Sequence, residues 1–197
     1  MLLSNYSNEY VLVNGEKYYL NGTKLILGKL EIKDIDEIEM LNTLDNLKEL
    51  YLYNNEIAQI KSLENLNNLE KLNLYGNKIR KIENLNFLKN LEILYLSENA
   101  IHEIQGIEEL ISLKILSFET NYIRTIRGLE NLINLEQLNL YENRISKIRG
   151  LQNLVNLKTL RIGKNDIPAT LLEKLGGLDE KGYANNPQLF VKYCDYL

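Results

Sequence analysis

Leu47, Leu69, Leu91, Leu113, Leu135 and Leu157 stand 22 residues apart, and each opens the same string of apolar and polar positions. In the copy that begins at Leu69 the apolar positions are Leu72, Leu74, Ile79, Ile82, Leu85 and Leu88, with Asn77 between the two groups. Five full periods run from Leu47 to Asn156, interrupted only by conservative swaps such as Phe118 for a leucine. Leu72 and Leu74 alternate with period two, which predicts a short strand with leucines inward and Asn73 and Tyr75 outward. Ile79, Ile82, Leu85 and Leu88 step by threes, the spacing of 3₁₀-like turns in which residues three apart eclipse. One such unit cannot bury its own apolar face. Stacking the units buries it, so the pattern predicts a parallel sheet on one side and short turns on the other.

Asn55, Asn77, Asn99, Asn121, Asn143 and Asn165 recur at the step after the strand. A buried amide there can satisfy turn backbone groups that an apolar residue would leave unpaired, so the column is expected to be structural. Upstream of the frame, Glu9 to Val13 and Glu16 to Leu20 flank Asn14-Gly15, the strongest short hairpin signal. Asn21-Gly22 then leads to a strand at Lys24 to Leu27. Placing the first strand at Leu25 to Leu27 makes the first repeat three residues longer, and the triplets Ile32, Ile35, Ile38, Leu41 and Leu44 agree with that length. Downstream, Pro168 opens a helix that Gly176-Gly177 closes, and Asn186-Pro187 starts a second with Leu189, Phe190 and Tyr193 on one apolar face. The chain therefore divides into an N-terminal β-hairpin cap over residues 1–24, repeats over 25–167 and a C-terminal helical cap over 168–197.

A frame filled this completely is identified as a leucine-rich repeat. The fold class is an α/β leucine-rich-repeat solenoid: a right-handed superhelix with a concave parallel sheet and a convex side of 3₁₀ or other short turns. Units such as Asn77-Lys78-Ile79-Arg80-Lys81-Ile82-Glu83-Asn84-Leu85 and Asn143-Arg144-Ile145-Ser146-Lys147-Ile148-Arg149-Gly150-Leu151 resemble the 22-residue repeats of intracellular proteins. Above all they resemble those of the leucine-rich-repeat regulatory subunit of protein phosphatase 1. The resemblance spans Leu25 to Ile167 and implies a cytoplasmic interaction module, such as a regulatory or scaffold subunit. Bacterial internalins are similar in repeat length but favour an Asp-Ile-x-Pro-Leu turn, and no proline lies between Met1 and Ile167, so the secreted class is the weaker match. The tail from Ile167 to Cys194 is similar instead to that of small archaeal leucine-rich-repeat proteins.

Charge and composition narrow the function. With 23 Lys and Arg against 27 Asp and Glu the net charge is −4, too acidic to coat nucleic acid or an anionic membrane by bulk attraction. The start, Met1-Leu2-Leu3-Ser4-Asn5-Tyr6, has neither a basic nor an apolar leader segment, and no run reaches the ~18 apolar residues of a membrane span, so a soluble, cytoplasmic protein is expected. Asn5 and Asn21 head glycosylation triplets that are read as chance matches in an Asn-rich chain. The single Cys194 cannot form an internal disulfide, and the single His102 leaves no second imidazole for a metal or a triad. No phosphate-binding loop, dinucleotide fingerprint or zinc-protease motif is present. Neither catalysis nor a cofactor is expected; His102 is read as an ordinary surface residue and Cys194 as a packed, inert thiol.

Two surface patterns stand out. The outward strand positions hold Tyr51, Tyr53, Tyr75, Tyr95 and Tyr141, with Ile93, Ile115 and Glu119 on the same sheet face. Adjacent aromatic and aliphatic side chains where charge is expected predict a partner-binding patch centred on the second to fourth repeats. Arg80, Lys81, Arg124, Arg127, Arg144, Lys147 and Arg149 gather just after the asparagine column and predict a basic edge, either a solvated edge or a site for nucleic acid or another anion. The expected partner is another protein on the concave face, the chain itself being a monomer; burial of the tyrosine face in a homodimer is the remaining alternative.

Overall fold

The structure, a computed structural model, describes residues 9–194; what was expected of residues 1–8, the Asn5 triplet included, and of 195–197 lies outside them. Seven strands form one parallel sheet in the order β10-β9-β8-β7-β6-β5-β3. They are β3 (Lys24–Ile26), β5 (Glu49–Tyr51), β6 (Lys71–Asn73), β7 (Ile93–Tyr95), β8 (Ile115–Ser117), β9 (Gln137–Asn139) and β10 (Thr159–Arg161). The register is that of the repeat, with Leu25, Leu50, Leu72, Leu94, Leu116, Leu138 and Leu160 in line and all buried. One leucine and isoleucine core runs the length of the stack, so the solenoid predicted from the frame is the fold observed.

The convex side is made of consecutive turns closed by bonds such as Leu88 N to Leu85 O and Leu91 N to Leu88 O, both 3.0 Å. Among the described residues regular 3₁₀ helix occurs only in the first repeat, at Ile35–Glu37 and Leu41–Thr43. One step of each turn is left-handed: Ser62, Asn84, Gly106, Gly128 and Gly150 all have positive φ. At Gly106 (φ +71°) a Cβ would stand 2.5 Å from the Ile82 carbonyl oxygen of the preceding repeat. Asn84 tolerates its step because its amide donates to the corresponding Ile60 carbonyl at 2.8 Å. Gly106→Ala therefore adds a steric clash to the left-handed penalty and should lower stability by about 2–3 kcal/mol. Gly15→Ala, at the hairpin tip with nothing within 4 Å of its Cβ, should lose only about 1 kcal/mol. Equal losses at the two sites in urea denaturation would show that the turns are not packed in this way.

The asparagine column is hydrogen-bonded throughout and is buried from Asn55 to Asn143. Asn99 accepts from Ile79 N (2.9 Å) and donates to the carbonyls of Leu74 (2.9 Å), Ser97 (3.1 Å) and Leu96 (3.2 Å), linking two repeats and closing its own turn. Asn55 follows the same scheme across the longer first repeat: its amide reaches Leu27 O, 28 residues back, where Asn77 reaches Leu52 O, 25 back. The three extra residues expected from the isoleucine triplets are thus present. A second amide ladder precedes the strands and was not anticipated. Asn68, Asn90, Asn134 and Asn156 each donate to a carbonyl 23 residues back, and the Ser112 hydroxyl does the same in the one repeat without asparagine.

Both caps are richer than their sequence signals. β1 (Tyr10–Val13) and β2 (Glu16–Tyr19) form the expected hairpin, and β4 (Ile38–Glu39), from the first repeat, pairs with β1 to complete a three-stranded antiparallel sheet. At the other end α1 (Ala169–Lys174) and α2 (Pro187–Cys194) are present, but they are not the whole cap. The segment between them lies along β10: Gly182 O accepts from Ile162 N and Gly163 N (2.9 and 3.0 Å), and Ala184 N donates to Leu160 O (2.8 Å). The face of α2 also differs from expectation. Phe190, Val191 and Cys194 are buried, Tyr193 is partly so, and Leu189 is exposed.

Candidate functional site

Strand alternation and parallel register together fix what stands beside what on the concave face. The row at the ends of the strands reads Ile26, Tyr51, Asn73, Tyr95, Ser117, Asn139 and Arg161, since these residues pair in successive strands. Lys24, Glu49, Lys71, Ile93, Ile115, Gln137 and Thr159 form the row before it. Two residues further along come Tyr53, Tyr75, Ser97, Glu119 and Tyr141. The tyrosines are therefore spread along the sheet, with Asn73 between Tyr51 and Tyr95.

Several of them are occupied within the chain. The ring of Tyr51 has Lys24 Nζ at 4.6 Å and Lys71 Nζ at 5.1 Å, and its hydroxyl donates to Glu49 at 2.6 Å. Burial, together with that carboxylate, raises the Tyr51 pKa, so the phenol stays neutral. A hydrogen bond to Glu98, reinforced by burial, does the same for Tyr75. Tyr53 covers Gly28, where a Cβ would strike its ring at 2.4 Å. At the far end Tyr141 lies under the Arg161 guanidinium, 3.8 Å from its ring centre, and against Gly182.

Tyr95 also has Lys71 Nζ, 5.6 Å from its ring centre, on one side, but on the other side the next residue in its row is Ser117. The shorter side chain leaves a notch of about 150 Å³ lined by Tyr95, Ile115, Ser117, Asn139, Arg161 and Tyr183, among others. Ser117 is buried and shares a 2.8 Å hydroxyl contact with Ser97. The opposite wall is held in place: Arg161 donates to Glu119 (2.8 Å) and to Lys181 O (2.9 Å), and Asn139 donates to the other Glu119 oxygen (2.8 Å). Of the residues expected to bind a partner, Tyr95 and Ile115 line this notch, Ile93 stands beside Ile115, and Glu119 and Tyr141 anchor Arg161. Ser117, Asn139 and Arg161 were missed, although each occupies the same step of the frame as Tyr51 and Tyr95. Tyr183 comes from the tail, and no repeat signal marks it.

The basic edge divides in two. Arg80 and Lys81, the latter paired with Glu83 at 3.1 Å, are separated from Arg124, Arg127, Arg144, Lys147 and Arg149 by the repeat that carries His102 and Glu103. His102 is exposed and stacks on Tyr122, ring centres 5.4 Å apart. Cys194 is buried, and its thiol donates to Phe190 O at 3.4 Å. Among the described residues no three His, Cys, Asp or Glu side chains gather as a metal site, and no helix is long and apolar enough to cross a membrane.

The family model for leucine-rich repeats in two copies matches residues 45–87, 89–131 and 133–179, more than half of the chain. The chain is a leucine-rich-repeat protein. Compared with curated protein sequences it finds no match. Among solved structures it is similar to internalin C2 of Listeria monocytogenes, at 28% identity and TM-score 0.58 over 76% of this chain and 75% of that one. It is also similar to a second Listeria monocytogenes internalin, inlF, at 25% identity and TM-score 0.57 over 79% of this chain and 52% of that one. A Leptospira interrogans leucine-rich-repeat protein matches at 27% identity and TM-score 0.65 over 74% of this chain and 37% of that one. The likeness to internalins lies in the solenoid, since the repeats of this leucine-rich-repeat protein contain no proline before Pro168. Leucine-rich-repeat proteins commonly serve as protein-interaction modules, and these neighbours belong to a class that is typically non-enzymatic.

Proposed function

We propose that this leucine-rich-repeat protein is a non-enzymatic module that binds a partner protein on its concave sheet, as a regulatory or scaffold subunit in the cytoplasm. The notch beside Tyr95 carries the reading. It runs from the central strand β7 to the end strand β10, where Tyr183 of the tail walls it off, and these surroundings can exclude water from a buried anchor. One wall is apolar, Tyr95 and Ile115, and the other is the pinned guanidinium of Arg161. Its volume suits one large apolar or aromatic side chain of a partner, whose polar edge would meet Arg161. The backbone beneath is ordered before binding, so little conformational entropy is lost on association. The phosphatase-subunit resemblance of the repeats supports a regulatory role, and a chain with a single cysteine suits a reducing compartment.

Quantitative affinity capture from the source cell, with wild type, Tyr95→Ala and Ser117→Phe as baits, tests this. A partner held by wild type should be depleted at least tenfold on both variants, since truncating or filling an anchor pocket removes about 2 kcal/mol or more. The baits must melt as wild type does. A partner captured equally by all three proteins would place the binding surface elsewhere.

A further inference from the structure

We propose that the Arg124, Arg127 and Arg149 cluster, where the fifth and sixth repeats turn from the sheet onto the convex side, is a second binding site, for a compact multivalent oxyanion of the oligophosphate type. Several cations of the repeats are neutralised by a carboxylate of a neighbouring repeat: Lys48 with Glu70, Lys78 with Glu56, Lys114 with Glu92, Lys158 with Glu136. In this cluster one acidic step of the frame becomes basic. The step that holds Glu83, the partner of Lys81, becomes Gln105, Arg127 and Arg149 in successive repeats. The step that holds Lys78 becomes Ala100, Tyr122 and Arg144.

Arg127 and Arg149 hold the same step in adjacent repeats, and like charges so placed repel one another, a repulsion that a bound anion relieves. Only Arg127 has an ion-pair partner, Glu103; Arg124, Arg144, Lys147 and Arg149 have none among the described residues. The guanidinium groups surround space. Arg124, Arg127 and Arg149 line a cavity of about 410 Å³ together with His102, Thr125 and one carboxylate, Glu103, and Arg127 and Arg149 also border a neighbouring one of about 590 Å³ that Lys147 and Glu130 flank. A net charge of −4 means that such a field is local, not a property of the whole surface.

The chemistry favours a compact anion over a nucleic-acid strand. Single-stranded nucleic acid is held by bases stacked on open aromatic faces. The exposed ring of this patch, Tyr122, already stacks on His102 and has the Arg144 guanidinium 4.7 Å from its centre. What remains open is a group of planar guanidinium forks, which match phosphate oxygens two at a time.

Calorimetric titration of the full chain with sodium tripolyphosphate at low and physiological ionic strength tests the site. Wild type should bind one equivalent. Arg124→Gln and Arg149→Gln should each weaken binding about tenfold, the loss expected for a charged hydrogen-bonded pair. Arg80→Gln removes the same charge outside the cavity and should leave affinity within about twofold. Glu103→Gln, which releases Arg127, should strengthen binding. The proposal is overturned if wild type fails to bind at low salt, if Arg80→Gln weakens binding as much as Arg124→Gln, or if a single-stranded oligonucleotide binds more tightly than tripolyphosphate. Because the site lies off the concave sheet, Tyr95→Ala should bind tripolyphosphate as wild type does.

Discussion

Asn99→Leu should lower the unfolding free energy by about 3–5 kcal/mol, although the two side chains are close in size and the position is buried. The substitution removes an acceptor and a donor together. Ile79 N–H, which Asn99 Oδ1 satisfies at 2.9 Å, is left unpaired in the core, and Leu74 C=O, which the Asn99 amide reaches at 2.9 Å, keeps only its bond from the Asn77 amide at 3.0 Å. The orphaned Ile79 N–H costs about 1–3 kcal/mol and each amide-to-carbonyl bond lost about 0.5–1.5 kcal/mol, and leucine's extra apolar contact offsets only part of the sum. Asn165→Leu makes the internal comparison. Asn165 is the last of the column and only partly buried, although it makes the same bonds to Ile145 N and Leu140 O, so water can repair part of its loss. Denaturant unfolding of both variants checks the pair: Asn99→Leu should lose more than twice what Asn165→Leu loses. Equal and small losses would show that the ladder is incidental to stability.

The leucine frame announces the sheet, its register and the asparagine column because each follows from a step that recurs. The same logic reached the longer first repeat, since shifting its strand to Leu25 leaves the isoleucine triplets in phase. Features set by one repeat meeting another kind of structure were harder to see. β4 pairs with β1 because the first repeat borders the hairpin, and nothing in Ile38-Glu39 alone marks an antiparallel partner. The left-handed turn step was visible as Asn84, Gly106, Gly128 and Gly150 in register, yet its cause, the approach to a carbonyl one repeat back, lies only in three dimensions.

The concave face shows the same limit. Alternation correctly places the tyrosines outward, but which neighbour covers each ring depends on lysines and glycines from adjacent strands. Tyr51 is flanked by Lys24 and Lys71, and Tyr53 fills the space over Gly28, while Tyr95 faces a serine. A small residue in an aromatic row is as informative as the aromatic residues, because it makes the recess. The basic residues beyond the asparagine column were read as one edge, and the repeat with His102 and Glu103 breaks it in two.

Truncation after Ile167 should unfold the last repeat and expose its core, the largest effect expected at either end. The removed segment does two things. Its α2 residues Phe190 and Val191 are buried against the core, burial that for two such side chains stabilises by about 3–5 kcal/mol. Its Gly182 and Ala184 satisfy backbone groups of Leu160, Ile162 and Gly163 along β10, which without them becomes an unpaired sheet edge. Stability in a stack passes between neighbours, so fraying should begin at Leu157 to Ile162 and spread inward. Hydrogen exchange on the truncated chain should show loss of protection in β10 first and β9 next, with aggregation as concentration rises. The two roles can be separated. Phe190→Ala should lose about 3–5 kcal/mol while β10 amides stay protected, because the edge pairing through Gly182 remains. A soluble truncation product with β10 fully protected would mean that the tail does not close the stack and is available to act as a docking segment.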